Sequence, residues 1–222
     1  MSRPIAVLRP EPGNRVTAAA IEAQGRKAIR MPLFEVRPLA WTSPDPGRFD
    51  ALILTSANAI RHGGTGLFPL QGLPVYAVGR VTADAAHRTG FLVVRAGSEG
   101  AVALLERAEA EGVQRALHLG GRERTLHAGG IIAEAISVYA SEAIKPEAPG
   151  RLDGAVALVQ SARAAGRLAE VVDAAGLERG RIAIAALSER AAAAAGEGWE
   201  RVRVAPTTES EALLETAIAL AD

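Results

Sequence analysis

The chain has 222 residues, with 25 basic and 25 acidic side chains, four histidines and no cysteine. The zero formal net charge argues against nucleic acid as the main partner, because proteins that bind it carry a basic surplus. The lack of cysteine excludes disulfides, thiolate nucleophiles and cysteine-ligated metal centres. No stretch reads as a signal peptide or a membrane span, so we expect a cytoplasmic location and no membrane partner.

Short apolar runs of three to five residues are typical of buried parallel strands. These predicted strands cover residues 5–8, 51–54, 75–78, 91–94, 116–119, 136–139, 155–159, 182–186 and 202–204. Amphipathic, alanine-rich runs predict helices over 16–24, 57–61, 82–88, 101–110, 131–135, 164–174, 190–195 and 209–219. The alternation of strand and helix predicts an α/β fold with parallel sheets.

Glycines mark most of the predicted helix ends, since glycine readily takes the left-handed conformation that closes a helix. They are Gly25, Gly90, Gly112, Gly176 and Gly196. At the start of the last helix, Thr208 and Glu211 have the spacing of a capping box.

An internal repeat links the two halves of the chain. Residues 54–59 resemble residues 159–164, the pair Gly90-Phe91 resembles Gly198-Trp199, and "IAVLRP" from Ile5 resembles "RALHLG" from Arg115. A period of about 108 residues is too long for a solenoid. It indicates two homologous α/β units.

Each repeat contains one longer extended segment, at 29–39 and at 135–144, and Pro32 and Pro38 forbid helix in the first. If both segments cross between domains, they form a two-stranded β-ladder hinge over 36–44 and 136–145. One domain is then discontinuous, 1–37 plus 145–222, and the other is the inserted 42–135. This arrangement predicts two doubly wound parallel-sheet domains with a ligand cleft between them.

In open α/β sheets, ligands bind beyond the carboxyl ends of the strands. The residues there are small, hydroxylated or glycine, with arginine interleaved, and helix-start N–H groups bind anions. The ranges are 9–14, 55–58, 79–82, 97–100, 120–124, 160–163, 187–190 and 205–208. Several such helix starts facing one cleft would suit a polyanion.

Each of these positions also has a purely structural interpretation. A serine or threonine at a strand-to-helix turn, such as Thr82 or Ser188, is ordinary capping chemistry. Most surface arginines are merely solvated, so only some of those near the turns would pair with carboxylates. Tyr139, on the second connector, is either a packing residue or a proton donor. The Gly120-Gly121-Arg122 turn is suggestive, since two glycines precede an arginine at an expected helix start.

No triad, paired-carboxylate, EF-hand, Walker or dinucleotide motif is present, and no histidine pair has the H-x-x-x-H spacing. We therefore expect neither a metal nor a cofactor.

The ordered series "VLRPEPGN", "PLFEVRPL", "FDALILTSANAI", "VYAVGRVTADAA", "LHLGGRER", "ISVYAS" and "SARAAGRLAEV" resembles the uroporphyrinogen-III synthase family. The matches fall in the family's order over about residues 5–215. The resemblance implies a lyase that closes hydroxymethylbilane, an octa-acidic linear tetrapyrrole, with loss of water and inversion of ring D. The product is uroporphyrinogen III, the precursor of haem, chlorophyll and corrinoids. It also implies a monomer without cofactor or metal, with room for a transient contact with hydroxymethylbilane synthase.

The resemblance implies roles for particular residues. Tyr139 matches the family's hinge tyrosine and would protonate the departing hydroxyl. Ser56 and Thr82 match hydroxyl positions, and Gly120, Gly121 and Arg122 match a loop that approaches substrate carboxylates. The remaining expected substrate-binding residues lie at the same kind of turn: Arg9, Ala57, Asn58, Gly79, Arg80, Ser161, Ala162, Arg163, Ser188 and Arg190.

Two segments depart from the family pattern. Gln160-Ser161-Ala162-Arg163 stands where the family often has Thr-Ser-Pro-Ser, and Ser188-Glu189-Arg190-Ala191 where it often has Gly-Pro-x-Thr. One family threonine is thus absent, and Ser188 or Arg190 could replace it. The departures leave open a catalytically weak or inactive tetrapyrrole-binding sensor. A solute-binding protein would need an export signal, and a nucleotide-dependent enzyme would need a phosphate-binding loop.

Overall fold

The computed structural model describes residues 2–97, 100–124 and 126–222. The chain divides into two compact units. Unit 1 comprises Met1–Glu35 and Glu142–Asp222, and unit 2 comprises Val36–Ser141. Unit 1 is thus made of two separate stretches of the chain.

Strands and helices alternate along most of the described residues. In chain order they are β1 Ile5–Val7, α1 Gly13–Ala23, β2 Ala28–Arg30, β3 Phe34–Pro38, β4 Ala51–Leu54, α2 Ala57–His62, β5 Val75–Val78, α3 Arg80–Arg88, β6 Val93–Gly97, α4 Ala101–Ala110, β7 Ala116–Gly121, β8 Ile132–Ala143, β9 Val156–Val159, α5 Ala162–Ala174, β10 Ala183–Ala186, α6 Glu189–Ala194, β11 Arg201–Val204 and α7 Ser210–Ala221.

Two sheets hold these strands. The five-stranded sheet of unit 1 has the order β11-β10-β9-β1-β2, and the second sheet has the order β3-β8-β7-β4-β5-β6. The pairs from β11 to β2 and from β8 to β6 are parallel. The predicted α/β class with parallel sheets is confirmed.

The two sheets share one strand order. Reading β4, β5, β6, β7 and β8 as the counterparts of β9, β10, β11, β1 and β2 superposes β6-β5-β4-β7-β8 on β11-β10-β9-β1-β2. The segments paired by the sequence repeat lie at equivalent places: the ends of β4 and β9, and the strands β7 and β1. The sequence repeat therefore reflects a repeat of sheet topology. The equivalent strands start at different points of the chain order, since β4 corresponds to β9 and β7 to β1.

The inner strands β1, β4, β9 and β10 are apolar throughout because helices cover both faces of each sheet. Along β1, Ala6 packs into the cluster that contains Leu168 of α5, whereas Ile5 and Val7 pack into the cluster that contains Leu213 of α7. Alternate residues of a strand point to opposite faces, so one continuous apolar run supplies two cores. In unit 2, β4 is divided between two clusters in the same way.

The predicted helix-ending glycines are confirmed. Gly25, Gly90, Gly112, Gly176 and Gly196 all have φ between 65° and 95°. Each lies two residues beyond the last residue of its helix, where an L side chain would be strained.

Three local predictions are wrong. Residues 131–135 are not a helix, because Ile132 begins the long strand β8, paired with β7. Gly120 and Gly121 end β7, and none of the described residues between them and β8 is helical. Thr208 does not cap α7: the N-cap is Glu209, with no side-chain cap bond. Strand β6 also begins later than expected, at Val93.

The boundaries between the units fall inside two strands. Glu35 and Val36 lie in β3, and Ser141 and Glu142 lie in β8. These strands are neighbours in the second sheet. The chain therefore crosses between units along two adjacent extended segments.

A histidine side chain is enclosed in the core of unit 2. His118, in β7, is 0 % exposed, and its Nε2 lies 3.2 Å from Thr55 Oγ1. Burial, and then the positive charge of Arg124, lowers the His118 pKa from 6.5 to about 4. The folded protein thus keeps this imidazole neutral where an unfolded chain would protonate it.

Because the folded-state pKa of His118 lies below its unfolded value, its contribution to stability is complete above about pH 6.5 and is lost as the pH falls toward 4. Through this group, the wild type should lose up to about 3 kcal/mol of unfolding free energy as the pH falls over this range, and His118→Gln should not show that loss. Urea titrations at pH 7, 5.5 and 4.5 measure it. His87→Gln, which replaces an exposed imidazole on α3, is the matched control. Parallel pH profiles for wild type and His118→Gln would contradict the prediction.

Candidate functional site

The strand order of each sheet defines a switch point, where ligands of doubly wound folds bind beyond the carboxyl ends. In unit 2 the connections leave in opposite directions from β7 and β4. In unit 1 they do so from β1 and β9. Each unit therefore has its own candidate ligand-binding edge, by which we mean the carboxyl ends of the strands at its switch point.

The unit 2 edge begins where β7 and β4 end side by side. Leu119 is paired with Leu54, which sets Gly120 beside Thr55. Ser56 caps α2, and its Oγ accepts a hydrogen bond from the Asn58 N–H at 3.2 Å. A serine hydroxyl that accepts a bond still has its own proton to donate. The capping role therefore leaves Ser56 able to bind a ligand.

Tyr139 lies at this edge, on β8. It is paired with Gly121, and its carbonyl accepts a hydrogen bond from the Arg122 N–H at 2.8 Å. A Cβ on Gly121 would lie 2.8 Å from Cε2 and 2.9 Å from Cζ of the Tyr139 ring. The absence of a side chain at Gly121 therefore makes room for the phenol. The partly exposed ring is also 6.3 Å, centroid to centroid, from the imidazole of His62 in α2.

The other expected residues of unit 2 differ in exposure. Arg80 is exposed and follows Gly79, which has a φ of 83°. Thr82 is 5 % exposed within the first turn of α3, so protein covers its hydroxyl. Asn58 Oδ1 accepts a bond from Arg61 Nη1 at 3.1 Å, and Ala57 is buried. Arg122 is exposed and contacts the carboxylate of Glu123 at 3.3 Å.

The unit 1 edge is organised by Asn14, which is fully buried. Its Nδ2 donates to the carbonyl oxygens of Val7 at 2.7 Å and Arg9 at 3.0 Å, while Oδ1 accepts from Arg30 Nε at 3.3 Å. These bonds fix the chain just after β1. The Arg9 guanidinium packs over Gly13, and burial lowers its pKa from the ordinary value.

Two helices of unit 1 start at serine caps. Ser161 Oγ accepts from the Ala164 N–H at 3.1 Å, and Ser188 Oγ accepts from the Ala191 N–H at 3.3 Å. Both residues therefore have the structural capping role that is ordinary at such positions. Arg163 stacks on Phe34, with its guanidinium carbon 4.4 Å from the ring centroid.

The remaining expected residues of unit 1 are simple to place. Ala162 is partly exposed at the first position of α5, and Arg190 is exposed on α6. Of the predicted edge 97–100, Ser98 and Glu99 lie outside the described residues.

Sequence reasoning missed three residues that organise these edges: Asn14, Thr55 and His118. Asn14 and Thr55 fell inside predicted edge ranges but were not singled out. The signal for His118 was a polar residue in the middle of an apolar strand. A histidine buried there needs a hydrogen-bond partner.

Over the described ranges 2–97, 100–124 and 126–222, no group of three or more His, Asp or Glu side chains is placed to hold a metal ion. The helices of the same ranges are too short or too polar to cross a bilayer.

Comparisons with known proteins agree with this architecture. Residues 15–215 match the family model described as uroporphyrinogen-III synthase HemD. No curated protein matches the sequence.

Two solved structures resemble the fold. The uroporphyrinogen-III synthetase of Helicobacter pylori 26695 gives a TM-score of 0.64 at 18% identity, covering 99% of this chain and 100% of that one. A mutant uroporphyrinogen III synthase of the extremely thermophilic bacterium Thermus thermophilus gives 0.53 at 17% identity, covering 99% and 97%. Identities this low bear on the fold alone, so membership rests on the family model. Because that model spans most of the sequence, the chain belongs to the uroporphyrinogen-III synthase family.

Proposed function

We propose that this chain is a lyase that cyclises hydroxymethylbilane to uroporphyrinogen III, with loss of one water and inversion of ring D. The observation that carries the proposal is the family match over residues 15–215. We propose no cofactor and no metal, and a cytoplasmic monomer that could contact hydroxymethylbilane synthase transiently.

The chemistry needs little from the protein beyond a proton and correct positioning. The hydroxymethyl C–O bond breaks, and the hydroxyl leaves as water with one added proton. The resulting azafulvene is electrophilic and is attacked by the substituted α-carbon of the electron-rich terminal pyrrole. The bond from that carbon to its neighbouring bridge then breaks and re-forms at the free α-carbon of the same ring, which inverts ring D. A proton leaves that free α-carbon, so that water is the only product lost. Catalysis of this kind works chiefly by holding the two ends together.

Tyr139 is our candidate for the proton donor. Its phenol lies at the switch point of unit 2, beside the glycine end of β7 and within the reach of a ligand at that edge. The side chain is partly exposed, as a group that touches substrate must be.

Substrate carboxylates are proposed to bind at the turns of both units. Guanidinium groups and helix-start N–H groups are the donors that suit carboxylates. The proposed set is Arg9, Ser56, Ala57, Asn58, Gly79, Arg80, Thr82, Gly120, Gly121, Arg122, Ser161, Ala162, Arg163, Ser188 and Arg190. Among these, Thr82 would contact substrate only if the first turn of α3 opened, because its side chain is 5 % exposed.

The proposed function predicts the isomer formed. Purified protein supplied with freshly made hydroxymethylbilane should yield uroporphyrinogen III faster than the spontaneous reaction yields the type I isomer. Chromatography of the oxidised products measures the ratio, and heat-denatured protein is the control. Type I alone, at the spontaneous rate, would favour the inactive sensor instead.

The role of Tyr139 can be tested against the other tyrosine of the chain. We expect Tyr139→Phe to lower kcat by about 10²-fold, the usual size of a general-acid contribution, while the thermal unfolding midpoint changes little. Tyr76→Phe is the matched control, because its hydroxyl donates to Glu111 at 3.2 Å. Equal turnover in the two variants would remove Tyr139 from the mechanism.

The close approach of Gly121 to Tyr139 gives a separate prediction. Gly121→Ala should displace the phenol, because its Cβ would lie 2.8 Å from the ring, and we expect kcat to fall at least tenfold. Gly72→Ala adds the same methyl group where no atom lies within 4 Å, and should behave as wild type. Steady-state kinetics on both variants would decide, and wild-type kcat in Gly121→Ala would show that the ring position is unimportant.

A further inference from the structure

A buried imidazole lies directly beneath the unit 2 edge and has no part in the proposed reaction. His118 is 0 % exposed, with its neighbours in the strand, Leu117 and Leu119, equally buried. Burying a polar ring costs free energy unless a hydrogen bond compensates it, whereas leucine would fill such a place without that cost. The packing of β7 alone therefore gives no reason for a histidine here.

The imidazole makes its hydrogen bond to the end of the neighbouring strand. Nε2 lies 3.2 Å from Oγ1 of Thr55, the residue that follows β4. Ile53 is paired with His118, so the bond runs from the middle of β7 toward the carboxyl end of β4. In either tautomer, the oxygen of the partly exposed Thr55 hydroxyl is held in one position.

The same ring supports the backbone of Gly120. A Cβ on Gly120 would lie 2.8 Å from Cε1 and 3.1 Å from Nε2 of His118. The imidazole therefore fills the space that a side chain at position 120 would need, and the Tyr139 ring does the same at position 121. One buried side chain thus lies against both the Thr55 hydroxyl and the glycine end of β7 at the switch point.

We infer that His118 is a positioning residue of the synthase reaction, which holds the Thr55 hydroxyl and the Gly120 peptide in the geometry that binds substrate. The inference rests on the proposed function and adds Thr55 to the substrate-binding residues. Burial lowers the His118 pKa to about 4, so the ring is neutral near pH 7. Its contact with Thr55 therefore does not change near neutral pH.

Three variants test whether the two residues act as one. Thr55→Val and His118→Leu should each raise KM about tenfold, the value of one hydrogen bond, with a smaller change in kcat. Both should increase the share of type I isomer, because a loosely held substrate closes without inversion. The double variant should be no worse than the worse single variant, since residues that act through one contact are not additive.

A conservative variant separates positioning from packing. His118→Gln places an amide near the position of Nε2, so it should recover most of the wild-type KM and isomer ratio. Thr89→Val is the matched control: its hydroxyl donates to the Ala86 carbonyl at 2.9 Å, at the far end of α3, and its loss should leave KM unchanged. If His118→Leu does not fold, Thr55→Val and His118→Gln still decide.

The outcomes distinguish the two proposals. If wild type forms type III but Thr55→Val retains wild-type KM and isomer ratio, the positioning role is overturned and the synthase assignment stands. Multiplicative losses in the double variant would also overturn it. If wild type forms only type I, the synthase assignment fails and this inference fails with it.

Discussion

The carboxyl end of β7 has no room for a side chain at two successive positions, and the unit 2 edge depends on that constraint. The imidazole of His118 fills the space that a side chain at position 120 would need, and the Tyr139 ring does the same at position 121. In a parallel sheet the backbone at a strand end is the surface that a ligand meets. Two glycines let the protein bring an aromatic hydroxyl to that surface and a buried polar ring directly beneath it, within one strand pair of the hydroxyls that follow β4.

Both units use the same strand order, but their edges are built from different groups. In unit 1 a buried amide, Asn14, holds the chain in place after β1. In unit 2 the corresponding strand ends in glycine and lies beside a tyrosine. A duplicated scaffold has thus kept its backbone plan while the two edges acquired different chemistry, since fold does not fix function.

Much of the fold could be predicted from the sequence because it is local. Buried parallel strands are apolar on both faces, and helix-ending glycines sit where the backbone turns left-handed, so both leave clear patterns. Residues 131–135 were wrongly predicted as helix because a short apolar run fits either period, and pairing with β7 decided it. The capping box at Thr208 failed for a similar reason: the spacing was present, but α7 starts one residue later.

The candidate site was only partly predictable because contacts across strands depend on register. The pairing of β7 with β8 shifts twice, between Ala116 and Leu117 and between Gly120 and Gly121. Counting residues along the two strands would therefore place Tyr139 opposite the wrong partner. The bond between His118 and Thr55 joins residues 63 apart in the chain, and no periodicity reports it.

The split composition of unit 1 has a consequence for biosynthesis. Strand β1 is the fourth of five strands across its sheet, yet its partner β9 is made about 150 residues later. Unit 2 is continuous, so a ribosome completes it first. We expect the first stretch of unit 1 to remain unfolded until β9 to β11 leave the exit tunnel, because domains fold as whole units. Protease digestion of stalled nascent chains of increasing length would reveal this order, with protection of the inserted half preceding that of the opening strand.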